Sequence, residues 1–242
     1  MDGYTRHQQK LQHLAEVLVK FGFTSRRCFS EYLGVDYKGQ SAFFRGLLDE
    51  KYCHRIPTSM VRSHLYLPTP RMLKLARDFG FDTVGVNTIP SRLSEELIRH
   101  TLLMQVVLNN HRNVMGSGEG GVGLSYVAEP SLGHVNEKRP DLIIDDKLAI
   151  EVECTHKNNG RIYRGFVAHA LAMRDGKYQQ VKYVVTNRLL YEGLLKKFES
   201  PLWPVMVMNA HTGKLENVGE QQLQIEDELR ERFSFEYLEI NL

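Results

Sequence analysis

Cysteine is scarce in this 242-residue chain: Cys28, Cys53 and Cys154 are widely spaced and odd in number. That excludes a disulfide framework and points to a reducing, cytoplasmic compartment. No Cys-x-x-Cys pair occurs, which excludes a zinc ribbon. No run of about 18 apolar residues is present, so no membrane-spanning helix is expected. The opening residues Met1-Asp2-Gly3-Tyr4-Thr5-Arg6-His7 lack the apolar core of a secretion signal. Internal repeats and low-complexity tracts are absent too. What is there is an ordinary globular composition, 42% hydrophobic and 25% charged, enough apolar surface for a real core.

The net charge of +2 hides an uneven distribution. Residues 1–80 carry 13 Lys and Arg against 7 Asp and Glu, whereas residues 215–242 carry 2 against 8. A basic front beside a near-neutral body is the footprint of a nucleic-acid reader joined to another module. In the front part, Leu11, Leu14, Val17, Leu18 and Phe21 recur at helical spacing up to Gly22. Thr24 or Ser25 can cap a second helix carrying Cys28, Phe29, Tyr32 and Leu33, which stops at Gly34. A third helix is expected over about residues 39–50. Two short strands, Tyr52–Arg55 and Arg62–Leu67, then flank a turn at Ile56-Pro57-Thr58-Ser59, and Thr69-Pro70 opens a fourth helix. This is the order of a winged helix-turn-helix, whose third helix enters the major groove. Arg26, Arg27, Lys38, Arg45, Arg55, Arg62 and His64 fall where such a domain meets phosphates. The alternative is a helical bundle that binds protein.

Gly80, Gly85, Asn87, Pro90 and Ser91 mark a linker, and the domains are drawn as 1–85 and 86–242. Ser91 or Ser94 caps a helix to about Asn109. The stretch Gly116–Gly123 is glycine-rich but lacks the Gly-Lys-Ser/Thr ending of a phosphate loop, and reads as a surface loop. Strands are expected at Leu124–Ala128, Leu142–Ile144 and Leu148–Cys154, with Asp145-Asp146-Lys147 turning the last two into a hairpin. A helix over 160–174, a strand at Tyr183–Thr186, a helix at Leu189–Phe198 and a strand at Val205–Met208 follow.

The segment that carries chemistry runs from Arg139-Pro140-Asp141 to Ile150-Glu151-Val152-Glu153-Cys154. Alternate side chains of a strand share a face, so Glu151 and Glu153 point one way while Ile150, Val152 and Cys154 enter the core. Two adjacent carboxylates on a buried strand repel and resist desolvation. A hard divalent cation is the usual reason to hold them there, and Asp141 can reach the same point. Such a metal activates water and polarises a phosphate. The bland reading is an edge strand with its acids in solvent.

This segment resembles the motif of the PD-(D/E)XK nuclease superfamily, with its restriction-endonuclease-like mixed sheet flanked by helices. Glu153 stands where the usual motif has Lys, a variant found among restriction enzymes of that superfamily; Lys157 can supply the positive charge. Winged helix and nuclease-like core together resemble the MOBC-type plasmid mobilisation relaxases and the related replication-relaxation family. The resemblance rests also on His100 in Leu97-Ile98-Arg99-His100-Thr101-Leu102 and on the basic-aromatic helix with Arg161, Tyr163 and Arg164. It implies nicking of plasmid DNA at a transfer origin with Mg²⁺ or Mn²⁺, a nicking-accessory protein and a type IV coupling protein as partners. The commoner relaxase type needs a His-hydrophobe-His triad, and no His-x-His occurs here.

Supporting roles follow. Glu96, with Glu95 as substitute, can join the metal site from the helix that carries His100, four residues on. His100 can donate to a phosphate or serve as a base. Lys157 can stabilise charge developing on phosphorus. Tyr163 is either a nucleophile or a core residue. His134 and His156 stay unassigned, and the acidic stretch Glu226–Glu231 reads as a solvated helix. Two other functions stay open: a DNA-binding accessory or replication factor that does not cut, and an endonuclease that cuts both strands.

Overall fold

The computed structural model describes residues 3–58, 64–89, 93–115, 125–128, 139–208 and 215–239. It is a mixed α/β protein in two compact units, the first essentially Met1–Gly123 and the second essentially Val135–Asn241.

In the first unit, α1 (Gly3–Phe21) buries Leu11, Leu14, Val17, Leu18 and Phe21. Strand β1 (Thr24–Ser25) leads into α2 (Arg26–Tyr32), whose cap is Ser25: its hydroxyl accepts from the Cys28 N–H at 3.1 Å. Gly34 takes φ +66°, so the chain reverses there at no steric cost. A 3-10 turn at Tyr37–Gln40 precedes α3 (Ser41–Asp49). Strands β2 (Cys53–Pro57) and β3 (His64–Pro68) complete an antiparallel sheet ordered β1-β3-β2. Thr69 caps α4 (Pro70–Asp78).

The next helix, α5 (Glu95–Met115), departs from expectation in length and in placement. It belongs to the first unit, so the units divide later than residue 85. The cause is its buried face. Ile98 and Leu102 pack with Phe23, Cys28, Leu65 and Leu67. Gln105 accepts from the Thr24 hydroxyl and donates to the Phe23 carbonyl, both at 2.7 Å, and Asn109 donates to the Cys28 carbonyl at 2.9 Å. Two buried amides satisfying backbone carbonyls fix the helix as apolar contacts alone would not.

The second unit is a five-stranded sheet ordered β10-β7-β6-β5-β4, from β4 (Tyr126–Ala128), β5 (Leu142–Ile144), β6 (Leu148–Glu153), β7 (Gln180–Val185) and β10 (Phe233–Tyr237). β5 and β6 pair antiparallel; β6 with β7 and β7 with β10 pair parallel. Helix α6 (Asn159–Arg174) makes the crossover between β6 and β7. Phe166, fully buried in the middle of α6, meets Tyr183, Trp203, Phe198 and Phe233 in one aromatic core. Helix α7 (Arg188–Phe198) and the antiparallel pair β8 (Leu202–Met208) and β9 (Leu215–Gln224) follow.

The acidic stretch Glu226–Glu231 holds the solvated helix expected, α8 (Asp227–Arg230), with Asp227 and Glu228 exposed; the strand after it was not expected. Residues 233–237 are strand β10, because Phe233 is buried and Phe235 stacks on Tyr183 at 5.3 Å. No helix among the described residues is long and apolar enough to cross a membrane.

Candidate active site

The site is built on the β5–β6 hairpin. Asp145 and Asp146 have φ of +50° and +54°, a conformation Asp tolerates better than most residues. The Lys147 N–H closes the turn on the Ile144 carbonyl at 3.0 Å. Asp145 also grips its surroundings, since its carboxylate accepts from the Ser125 N–H at 2.9 Å. The tight turn sets the register Leu142↔Ile150, which brings Asp141 beside Glu151 and Val152. There the ladder continues through a side chain: Asp141 Oδ2 accepts from the Val152 N–H at 2.6 Å.

Asp141, Glu151 and Glu153 are 7%, 2% and 5% exposed, so an edge strand with acids in solvent is not what forms. Both faces of β6 are covered. Cys154, expected in the core, is only partly buried. Three buried carboxylates need compensation, because an uncompensated buried charge costs several kcal/mol (~3–5 when a partner is removed). Each acid has a defined donor. Lys157 Nζ donates to Glu153 Oε1 at 2.6 Å, and His169 Nε2 lies 2.9 Å from Glu151 Oε1. Burial works to lower the Lys157 pKa, but Glu153, Glu151 and Asp141 together outweigh it and raise it, so the ammonium stays charged among all three acids. Burial first, then Glu151, Glu153, Tyr178 and Asp141, push the Tyr183 phenol well above its ordinary value, so it stays protonated.

The cup of acids about a divalent ion is therefore not assembled in the form expected. Among the described residues no group of three or more His, Cys, Asp or Glu side chains stands ready to hold a metal. The cation beside these carboxylates is the Lys157 ammonium.

Glu96 and Glu95 are exposed on α5, where His100 is half-buried; this helix belongs to the first unit and the three acids to the second. Arg161 is exposed in the first turn of α6, whose cap is Asn158, and Arg164 is partly exposed. Tyr163 leans edge-on against Phe166 at 6.2 Å and lines the aromatic core, which favours packing over a nucleophilic role. His156 is exposed near Lys157 in the chain. Arg62, His134 and the glycine-rich stretch lie outside the described residues.

On the first unit, Lys38, Arg45 and Arg55 are exposed on the 3-10 turn, α3 and β2. Arg26 donates to the Ser41 hydroxyl at 2.9 Å and lies over the Tyr37 ring at 5.5 Å. Arg27 is exposed but paired with Glu31 at 2.9 Å. Two residues that sequence reasoning missed are His169 and Tyr178, whose side chains meet at 2.6 Å. The signal for His169 was an ionisable residue inside Phe166-Val167-Ala168-His169-Ala170-Leu171, an otherwise apolar helix segment.

No family model, curated protein or solved structure matches this chain.

Proposed function

We propose that the chain is a metal-dependent DNA endonuclease of the nicking, relaxase type, acting on plasmid DNA at a transfer origin. The observation that carries this reading is the burial of Asp141, Glu151 and Glu153 on one hairpin, with the Lys157 ammonium on Glu153. Carboxylate oxygens are the hard donors a magnesium or manganese ion takes. Asp141, Glu151 and Glu153 would hold it, with Lys157 standing in for it in its absence; exposed Glu96 is left out of the set. When bound, the ion supplies polarisation of the scissile phosphate and a water of lowered pKa. The chain's own part is to keep three carboxylates dehydrated in one place and to present the charged Lys157 to the negative charge that grows on phosphorus.

The topology supports the same reading. An antiparallel β5–β6 hairpin with β4 beyond it, a helical crossover and a parallel β7 would serve as the restriction-endonuclease-like core of this reading. The series α1-β1-α2-α3-β2-β3, with sheet order β1-β3-β2, would serve as the winged helix of this reading. Lys38, Arg45 and Arg55, with Arg161 and Arg164 on α6, are the phosphate contacts in this proposal. A nicking-accessory protein and a coupling protein would be its partners.

A second reading is a DNA-binding protein that does not cut. It draws on one observation: every acid already has a donor from its own chain and no three stand ready for a metal. Nicking of supercoiled plasmid, with and without Mg²⁺ or Mn²⁺, decides. Metal-dependent relaxed product from the wild type and none from Glu153→Ala supports the nuclease; binding without product supports the second reading.

A further inference from the structure

Strand β10 ends the five-stranded sheet, and its backbone bonds reveal which residues face the outer side. Alternate residues of a strand serve its two neighbours. On β7, the Gln180 and Thr186 N–H groups bond to β6, at the Lys147 and Glu153 carbonyls. The Val181 N–H bonds instead to the Arg232 carbonyl, and the Val185 carbonyl accepts from the Leu238 N–H. On β10 the even-numbered positions therefore turn their backbone toward β7, and Phe233, Phe235 and Tyr237 turn theirs outward. Among the described residues no strand pairs with β10 on that side. Proteins usually blunt such an edge with proline, lysine, a bulge or extreme shortness. Strand β4, at the opposite edge, has three residues. Strand β10 has five, in unbroken register with β7 and with neither proline nor lysine. Its one charge, Glu236, is matched by Lys182 at 2.6 Å.

We propose that the outer edge of β10 pairs antiparallel with β10 of a second copy of the chain, about a twofold axis at Phe235. Such a dimer depends on nothing in the proposed function. The strand is complementary to itself in one register. With Phe235 opposite Phe235, Phe233 falls opposite Tyr237, and all three outward-facing residues meet as hydrogen-bonded pairs. Their side chains share one face, where Phe235 stacks on Tyr183 and the 40% exposed Tyr237 lies 6.2 Å from Tyr191. Aromatic residues opposite one another across two strands stabilise the pairing. On the other face the exposed Ser234 falls opposite Glu236, so a hydroxyl meets a carboxylate, twice by symmetry. The Ser234 hydroxyl has only a long bond of its own, 3.4 Å to the Val181 carbonyl. A slip of one residue sets outward-facing groups against inward-facing ones. A slip of two sets Glu236 against Glu236 in one direction, and in the other sets Tyr237 against Glu231, outside the strand. A foreign strand would satisfy the same backbone groups, but the Ser234–Glu236 match belongs to this sequence meeting itself.

Two five-residue strands make a small interface, so sedimentation equilibrium of the full chain is run over about 5–500 µM. The wild type should pass from monomer to dimer in that range. Ser234→Glu sets two carboxylates opposite each other and should raise the dissociation constant about tenfold, whereas Ser234→Lys sets an ammonium opposite Glu236 and should lower it. A general loss of structure would affect both variants alike, and thermal unfolding of each checks the fold. The register is read by cross-linking. Ser234 and Glu236 form a non-hydrogen-bonded pair in the dimer, with Cα atoms about 4.5 Å apart, within reach of a disulfide. Under mild oxidation a mixture of Ser234→Cys and Glu236→Cys chains should cross-link, and neither variant should do so alone. A monomer at every concentration overturns the proposal. So does a dimer that responds alike to both charges at Ser234, which places the interface elsewhere. Slow hydrogen exchange of the Phe233, Phe235 and Tyr237 amides in the monomer overturns it too, since the chain itself would then cover the edge. Cross-linking by either cysteine variant alone overturns the register.

Discussion

Lys157 Nζ lies 2.6 Å from Glu153 Oε1, one of three buried carboxylates that all hold the ammonium charged. A lysine in that place can neutralise the acids in the resting protein and face a phosphate once a divalent ion takes over their charge. The two roles predict opposite responses to metal. Lys157→Met should destabilise the protein by about 1–2 kcal/mol, less than for a fully buried pair because the lysine side chain is 36% exposed. Millimolar Mg²⁺ should restore its unfolding temperature toward that of the wild type, while nicking stays impaired by about 100-fold. No recovery with Mg²⁺ would show that the acids do not accept a cation in place of the lysine.

DNA affinity should separate from cleavage by residue. Arg45 is exposed on α3, and Arg45→Ala should weaken binding and lower the slope of log K against log salt by about one. Arg27 already has Glu31 at 2.9 Å, so Arg27→Ala should change the slope less. Glu153→Ala should leave affinity unchanged or raised while removing cleavage. Fluorescence anisotropy over a salt series, beside the plasmid assay, measures all three.

A pH dependence is expected from His13. It lies on α1 edge-on to Tyr32 at 5.8 Å, in a group where Glu16 accepts from the Tyr32 hydroxyl at 2.9 Å and Arg112 covers the Tyr32 ring at 3.9 Å. Burial lowers the His13 pKa from 6.5, with Arg112 adding to it and Glu16 opposing. A histidine with a depressed folded pKa binds its proton more weakly folded than unfolded. Its contribution to stability is therefore present above pH 6.5 and is lost as pH falls through the depressed value. Urea unfolding of the wild type at descending pH should show this loss, and His13→Gln should flatten the profile over the same range.

Much of the fold was legible in the sequence because its signals were local. The hairpin ends at Leu142–Ile144 and Leu148–Glu153 follow from alternation and the Asp-Asp turn, and α4 follows from Thr69-Pro70. The burial of Asp141, Glu151 and Glu153 was legible as a question, since carboxylates on an apolar strand need a partner. Their answer was not, because His169 is 18 residues from Glu151 in the chain. Strand β10 was hidden by charge: its two phenylalanines are flanked by a glutamate-rich stretch, and only the parallel pairing with β7 reveals its inward face. The placement of α5 was hidden for a related reason. Its partners, Phe23 and Thr24, lie about eighty residues earlier, and apolar spacing shows that a face is buried but not against what.

That last relationship makes a prediction about fragments. A fragment beginning near Ser91 carries α5 but lacks the elements that cover it. Ile98 and Leu102 lose Phe23, Cys28, Leu65 and Leu67. The Gln105 amide loses the Phe23 carbonyl and the Thr24 hydroxyl, and Asn109 loses the Cys28 carbonyl. Such a fragment should aggregate or bind a hydrophobic dye, whereas residues 1–123 should unfold in one cooperative transition and bind DNA with a steep salt dependence. Shortening that unit to residues 1–90 should cost most of its stability, because the same apolar face and carbonyls are uncovered from the other side. Within 1–123, Gln105→Leu conserves bulk but takes the Gln105 amide from the Phe23 carbonyl and leaves the fully buried Thr24 hydroxyl with only its 3.3 Å bond to the Ser25 carbonyl, and should cost about 1–3 kcal/mol in chemical unfolding. Equal stability of 1–90 and 1–123 would show that α5 is not part of this unit's cooperative core.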